Sequence, residues 1–157
     1  MSDEKNLKNA QNVYKSLCAM LDDHNFRYER HDDDLVVTFG MSGEDIPMQF
    51  IVNVDAKRDL IRVISPIPVV FGEDKRLEGA LATCQANYRM ADGSFDYDYS
   101  NGKVYFRMTS SYKDSLISKE IFEYMIACAS YTVDKYNDKF LMLAKGMMTI
   151  EEFFKNK

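Results

Sequence analysis

The sequence predicts an α+β fold: an antiparallel sheet of five to six strands with flanking helices, in the order α-β-β-β-(β)-α-β-β-α. Three observations carry this. Apolar residues recur every three or four positions as far as Leu21 and every second position from Phe26. Asn101-Gly102 lies between two alternating runs, as the favoured turn of a tight hairpin does. A helix-period pattern then runs unbroken from about Ser118 to Ala144.

The first helix, expected over about residues 4–24, carries one apolar stripe: Leu7, Ala10, Tyr14, Leu17 and Leu21. Strand character begins with Phe26 to Arg30, pauses at Asp32-Asp33-Asp34 and resumes over Leu35 to Phe39. Met48, Phe50, Val52 and Val54 share one strand face, with Gln49, Ile51, Asn53 and Asp55 on the other. Ala56-Lys57-Arg58 reads as a hairpin turn into Leu60 to Ser65. Ser65-Pro66-Ile67-Pro68 is expected to end that strand, because proline donates nothing to a ladder.

A second helix opens with Glu73 and Asp74, acids at the positive end of the helix dipole. Its expected stripe is Leu77, Leu81, Cys84 and Tyr88. Taken as a two-residue turn, Asn101-Gly102 sets Tyr99 opposite Val104, Tyr97 opposite Phe106 and Phe95 opposite Met108. The other face then pairs Asp98 with Tyr105, Asp96 with Arg107 and Ser100 with Lys103.

In the last long helix, with Ser118 as N-cap, the main stripe is Ile121, Met125, Cys128, Thr132, Tyr136, Phe140 and Leu143. A second stripe, Phe122, Ile126, Ala129 and Val133, widens the apolar arc to about 220°. That is more than one sheet face needs. Either other helices cover the second stripe, or it is an interface, through which the chain would form a homodimer. Gly146 is expected to end the helix, and Thr149 to cap a short terminal helix over about 149–156.

The 157 residues suit a single domain spanning 1–157, and a 46% hydrophobic, 29% charged composition is globular. A net charge of −5 disfavours nucleic acid and anionic lipid. The start of the chain carries no apolar signal region, and no apolar run has the length of a membrane span. A soluble, cytoplasmic protein is expected. Cys18, Cys84 and Cys128 have neither disulfide nor zinc spacing and are read as free core thiols.

Chemistry is scarce. His24, behind Asp22-Asp23, suits the negative end of a helix dipole. His31-Asp32-Asp33-Asp34 lacks the spacing of a calcium loop and reads as a charged turn. Gly40-Met41-Ser42-Gly43 is no phosphate loop, and Ser65, Ser110 and Ser111 have no nucleophile elbow around them. No catalytic residue, cofactor or metal is therefore assigned. The aromatic stripes have core spacing and lack the basic groove of a base-stacking platform.

The stretch NYRMADGSFDYDYSNGKVYFR, Asn87 to Arg107, follows a helix and precedes a long one. With the upstream LIRVISPIPVVFGEDKRLEGALATCQAN it resembles the YbjN family of bacterial proteins, described as regulators of sensory transduction. The carriers are Asn87 near a helix end, Gly93-Ser94-Phe95, and the hairpin from Asp98 to Arg107; the resemblance spans about Phe26 to Ala144. It implies an architecture similar to type III secretion chaperones, often dimeric, with partner protein segments bound on the surface. It brings no catalytic residues. The expected function is a non-enzymatic protein-binding or regulatory module. The alternative is a small-ligand-binding domain, or an enzyme whose site is assembled from scattered residues.

Overall fold

A computed structural model describes residues 2–115 and 117–155. Helix α1 (Ser2–Asp23) leads into β1 (Glu29–His31), β2 (Val36–Met41), β3 (Met48–Asp55) and β4 (Leu60–Val70). A single 3-10 turn, Glu73–Lys75, opens α2 (Arg76–Asn87). Then come β5 (Ser94–Asp98), β6 (Lys103–Ser111), the long α3 (Lys119–Ala144) and α4 (Ile150–Lys155). Residue 156, the expected end of the last helix, lies outside the described residues.

The strands form one six-stranded sheet in the order β1-β2-β3-β4-β6-β5, each pair antiparallel. Period-two burial explains its layering: Val37 and Phe39, the Met48-to-Val54 set, Ile61, Val63, Phe106 and Met108 are all buried on one face. The helices pack on that face, and the opposite face stays partly open. From α1 the core receives Ala10, Tyr14, Leu17 and Leu21 of the expected stripe and also Val13, Cys18 and Met20, whereas Leu7 is exposed.

Three expectations need correction here. The run from Phe26 to Arg30 contributes only Glu29 and Arg30 to a strand; Phe26 packs its ring edge-on against Phe39 instead. Strand β4 does not stop at the prolines but runs through Pro66 and Pro68 to Val70. Beyond Ile64 it has no β3 partner and pairs only with β6, so each proline has a free side where no donor is required. The apolar alternation Ile61, Val63, Ile67, Val69 continues past them into the core.

The β5–β6 hairpin has a register shifted by two: Phe95 faces Phe106, Tyr97 faces Val104 and Asp98 faces Lys103. Asp98 is the reason. Its carboxylate accepts from the Ser100 amide (3.0 Å) and hydroxyl, and its carbonyl accepts from the Gly102 amide (2.7 Å), which widens the loop to Tyr99–Gly102. These Ser100 bonds hold the Asp98 carboxyl below the usual carboxylate range. Only Gly102 adopts a positive φ, +74°, where a type I′ turn needs two such residues. A shift of two keeps every side chain on its expected face except Tyr99, which enters the loop and is exposed. Arg107 still reaches Asp96, now diagonally, with Nε–Oδ2 at 2.7 Å.

The helix ends follow the sequence signals. Gly146, at φ +72°, closes α3 with the Met147 amide donating to the Met142 carbonyl (2.8 Å). The Thr149 hydroxyl accepts from the Glu152 amide (3.1 Å) and caps α4. Ser118 occupies the N-cap position of α3, but its side chain bonds no helix amide.

Candidate protein-binding surface

Phe122, Ile126, Ala129 and Val133, the expected interface, are 0, 4, 0 and 1% exposed. That expectation is corrected by packing within the chain: α3 meets β4 and β6 on one side and α1, α2 and α4 on others, so its wide apolar arc is covered. Tyr136 and Phe140 sit among Phe95 and Phe153, ring against ring.

Helix α2 is oriented the other way. Gly79, Ala82, Thr83 and Ala86 face inward, and small side chains let the helix approach β5 closely. A Cβ built on Gly79 would lie 2.6 Å from the Tyr97 hydroxyl and 2.8 Å from the Phe71 ring. The stripe expected to be core is therefore on the surface: Leu77 is 63% exposed, Leu81 47%, Tyr88 57%, and Cys84 is exposed with them. Cys18 is buried and Cys128 half-buried, all three thiols being free, so the core-thiol reading holds for Cys18 and fails for Cys84.

Asn87, the last residue of α2, joins this helix to the sheet edge. Its Nδ2 donates to the Phe95 carbonyl (2.9 Å) and its Oδ1 accepts from the Phe95 amide (2.7 Å). The side-chain amide thus satisfies one residue of edge strand β5 as a neighbouring strand would. This is a structural reason for the Asn in the motif.

Beyond Tyr88 the exposed stripe enters a small pocket of about 190 Å³ between the end of α2 and the middle of α3. Ala86 and Tyr136 form its floor; Tyr88, Arg89, Tyr131 and Lys135 stand at its rim. Arg89 holds a positive φ of 62°, costly for a side chain with a Cβ, and its guanidinium lies 5.2 Å from the Tyr88 ring centre. Burial pushes the Tyr136 phenol up.

A second concavity, about 320 Å³, opens between the end of α1, the end of β2 and the first half of α3. Met20, Phe26, Met41 and Ile126 make it apolar, and Ala127 and Ser130 edge it. His24 crosses its rim to Glu123, Nε2–Oε1 2.8 Å, and Lys119 bonds Asp23 at 2.6 Å, so two polar pairs tie the helices together above an apolar floor. Two flexible thioethers in such a wall accommodate side chains of varied shape. The sequence alone makes His24 a solvated histidine at a helix end; its Glu123 partner, 99 residues away, has no local signal.

The acidic turn is structural. Asp32 accepts from the Tyr14 hydroxyl (2.9 Å) and from Arg30 Nε (2.9 Å), pinning the β1–β2 turn to α1. Arg30 and Tyr14 hold its carboxyl below the usual range. Among the described residues no group of three His, Cys, Asp or Glu is disposed to hold a metal ion, and no helix is long and apolar enough to cross a membrane.

A family model described as "YbjN: Putative bacterial sensory transduction regulator" matches residues 14–142. No curated protein matches the sequence. Among solved structures, a chain of the HopA1-SchA chaperone-effector complex superposes with a TM-score of 0.59 at 11% identity, covering 83% of this chain and 97% of that one. A chain of the ExsC-ExsE complex gives 0.54 at 15% identity, with coverages of 83% and 93%. YbjN from E. coli, described as a putative transcription regulator, gives 0.58 at 12% identity, with coverages of 85% and 92%. At these identities the likeness is one of fold, the type III secretion chaperone architecture that the resemblance implied.

Proposed function

We propose that this chain, which belongs to the YbjN family, is a non-enzymatic, single-domain protein-binding or regulatory module, chaperone-like in presenting preformed surfaces to partner protein segments. The observation that carries this reading is the open groove walled by the apolar side chains of Met20, Phe26, Met41 and Ile126 and sized for a bulky apolar side chain or two. One solved structure of similar fold is a chaperone-effector complex, which supports a protein rather than a small molecule as the occupant. The two ionisable groups that line the groove, His24 and Glu123, are paired with each other, which supports binding over catalysis. Three free thiols support a reducing compartment such as the cytoplasm. Self-association belongs to the same reading, but through α2, since the apolar arc of α3 is spent inside the chain.

Affinity capture with matched variants tests the groove. Ala127→Arg blocks its mouth from an exposed position, while Thr109→Arg places the same charge on the open sheet face. Loss of the captured protein with Ala127→Arg alone, at unchanged circular dichroism, is the expected result. Equal capture by both variants would refute the groove as the binding surface.

A further inference from the structure

Two nearly buried hydroxyls lack a partner, and their residues line one pocket. Thr132 and Tyr136, one turn apart on α3, are 9 and 4% exposed, and neither hydroxyl is hydrogen-bonded among the described residues. The side-chain atoms that are both sealed from solvent and unpartnered there are Arg76 Nε and Asn137 Nδ2. The Thr132 and Tyr136 hydroxyls therefore open to solvent, and the opening both residues line is the pocket of about 190 Å³ at the end of α2. Burial pushes the Tyr136 phenol up, so at neutral pH it keeps its proton for donation. A hydroxyl nine-tenths buried without a partner costs free energy that a bound acceptor recovers.

Two cations stand over the same opening. Arg89 and Lys135 form no ion pair among the described residues, and no carboxylate lines the pocket. The acids adjoining them in sequence are Asp92, Asp134 and Asp138. Asp92 is taken by the Gly93 amide (2.8 Å) and the Tyr124 hydroxyl (2.9 Å), and Asp134 by the Glu44 amide (2.8 Å). Asp138 pairs with neither cation. Lys139, 5.5 Å from the centre of the Tyr136 ring, adds to the positive field. The negative end of the α2 dipole accounts for a cation at Arg89 but not for Lys135, in the middle of another helix. Nor does it account for an arginine at a φ of +62°, where glycine would sit without steric cost.

We infer that this pocket binds a small phosphate monoester carried on a flat ring. Arg89 and Lys135 hold the phosphate, the Thr132 and Tyr136 hydroxyls donate to its oxygens, and the ring lies against Tyr131. Two unpaired cations match a phosphate dianion better than the single charge of a carboxylate. A guanidinium also presents the fork of donors that phosphate oxygens accept. The exposed ring of Tyr131 offers a face on which a flat stem stacks. A volume of about 190 Å³ is below the roughly 300–1,000 Å³ of sites for drug-sized ligands, which limits the ester to one ring. The pocket shares no lining residue with the apolar groove, so this site and the protein-binding reading stand or fall separately.

Phenyl phosphate is the probe, titrated into the full chain at constant ionic strength while amide resonances are followed by NMR. Saturable shifts centred on residues 86–90 and 131–136 are expected, with weaker binding of inorganic phosphate and none of phenol. Loss of one charge-assisted hydrogen bond weakens binding about tenfold or more. That is the effect expected of Arg89→Gly and of Lys135→Gln, whereas Lys57→Gln, in the exposed β3–β4 turn, leaves the affinity unchanged. Arg89→Gly also separates a ligand role from a structural one. Glycine relieves the positive φ, so thermal unfolding is expected at the same or a higher temperature while phenyl phosphate is lost. Absence of saturable shifts overturns the site, and so does an affinity that Arg89→Gly and Lys135→Gln leave unchanged. Inorganic phosphate binding as tightly as phenyl phosphate overturns the ring.

Discussion

Helices α2 and α3 both carry apolar stripes at helical spacing, and the fold treats them in opposite ways. The four-residue stripe of α3 that exceeds the needs of one sheet face is fully covered, while the four-residue stripe of α2 that has core spacing faces solvent. The difference lies in the other face of each helix. Opposite its apolar arc α3 has charged and polar residues such as Glu120, Glu123 and Lys135, so only one side suits the interior. Opposite its leucines α2 has Gly79, Ala82 and Ala86, which are also compatible with burial. Small residues permit close approach, and Phe71 and Tyr97 fill the space that larger side chains on α2 would have taken. Periodicity reports that a helix is amphipathic; where both faces are non-polar, volume decides which one is buried.

Substitutions break this comparison with effects of decreasing size. Phe122→Ala, at a fully buried site on α3, is expected to cost about 3–5 kcal/mol in urea unfolding. A value near zero would mean that the stripe is not packed. Gly79→Ala tests the close approach of α2. Alanine is preferred over glycine in a helix by about 1 kcal/mol, yet its Cβ would collide with Tyr97 and Phe71. Overpacking costs of about 1–3 kcal/mol outweigh the preference, so thermal unfolding is expected at a lower temperature than in the native chain. Stabilisation would show that the inward face of α2 is loose. Leu77→Ala, largely exposed, is expected to change monomer stability by no more than about 0.5 kcal/mol in chemical denaturation.

Much of the fold was legible because it rests on local periodicity: the helix and strand order, the inward set of β3, the Gly146 stop and the Thr149 cap. What was not legible depended on partners distant in sequence. Pro66 and Pro68 look like strand breakers until β4 is seen to have lost its β3 neighbour. Asn101-Gly102 looks like a two-residue turn until Asp98 takes the Ser100 and Gly102 donors and moves the register by two. The candidate surfaces were less legible still. The groove unites residues from 20 to 130, and the basic pocket joins Arg89 to Lys135 across two helices. Each of these residues, taken alone, is an ordinary surface or core position.

The opposite orientation of the two helices is tested most directly by Leu81→Asp in urea unfolding at dilute protein concentration, where the monomer is measured. An aspartate at an exposed helix position costs about 0.5 kcal/mol or slightly more through propensity. The expected outcome is a cooperatively folded monomer with a midpoint close to that of the native chain. A loss of several kcal/mol, the penalty of an unpaired charge in a core, would contradict the account and return Leu81 to the interior.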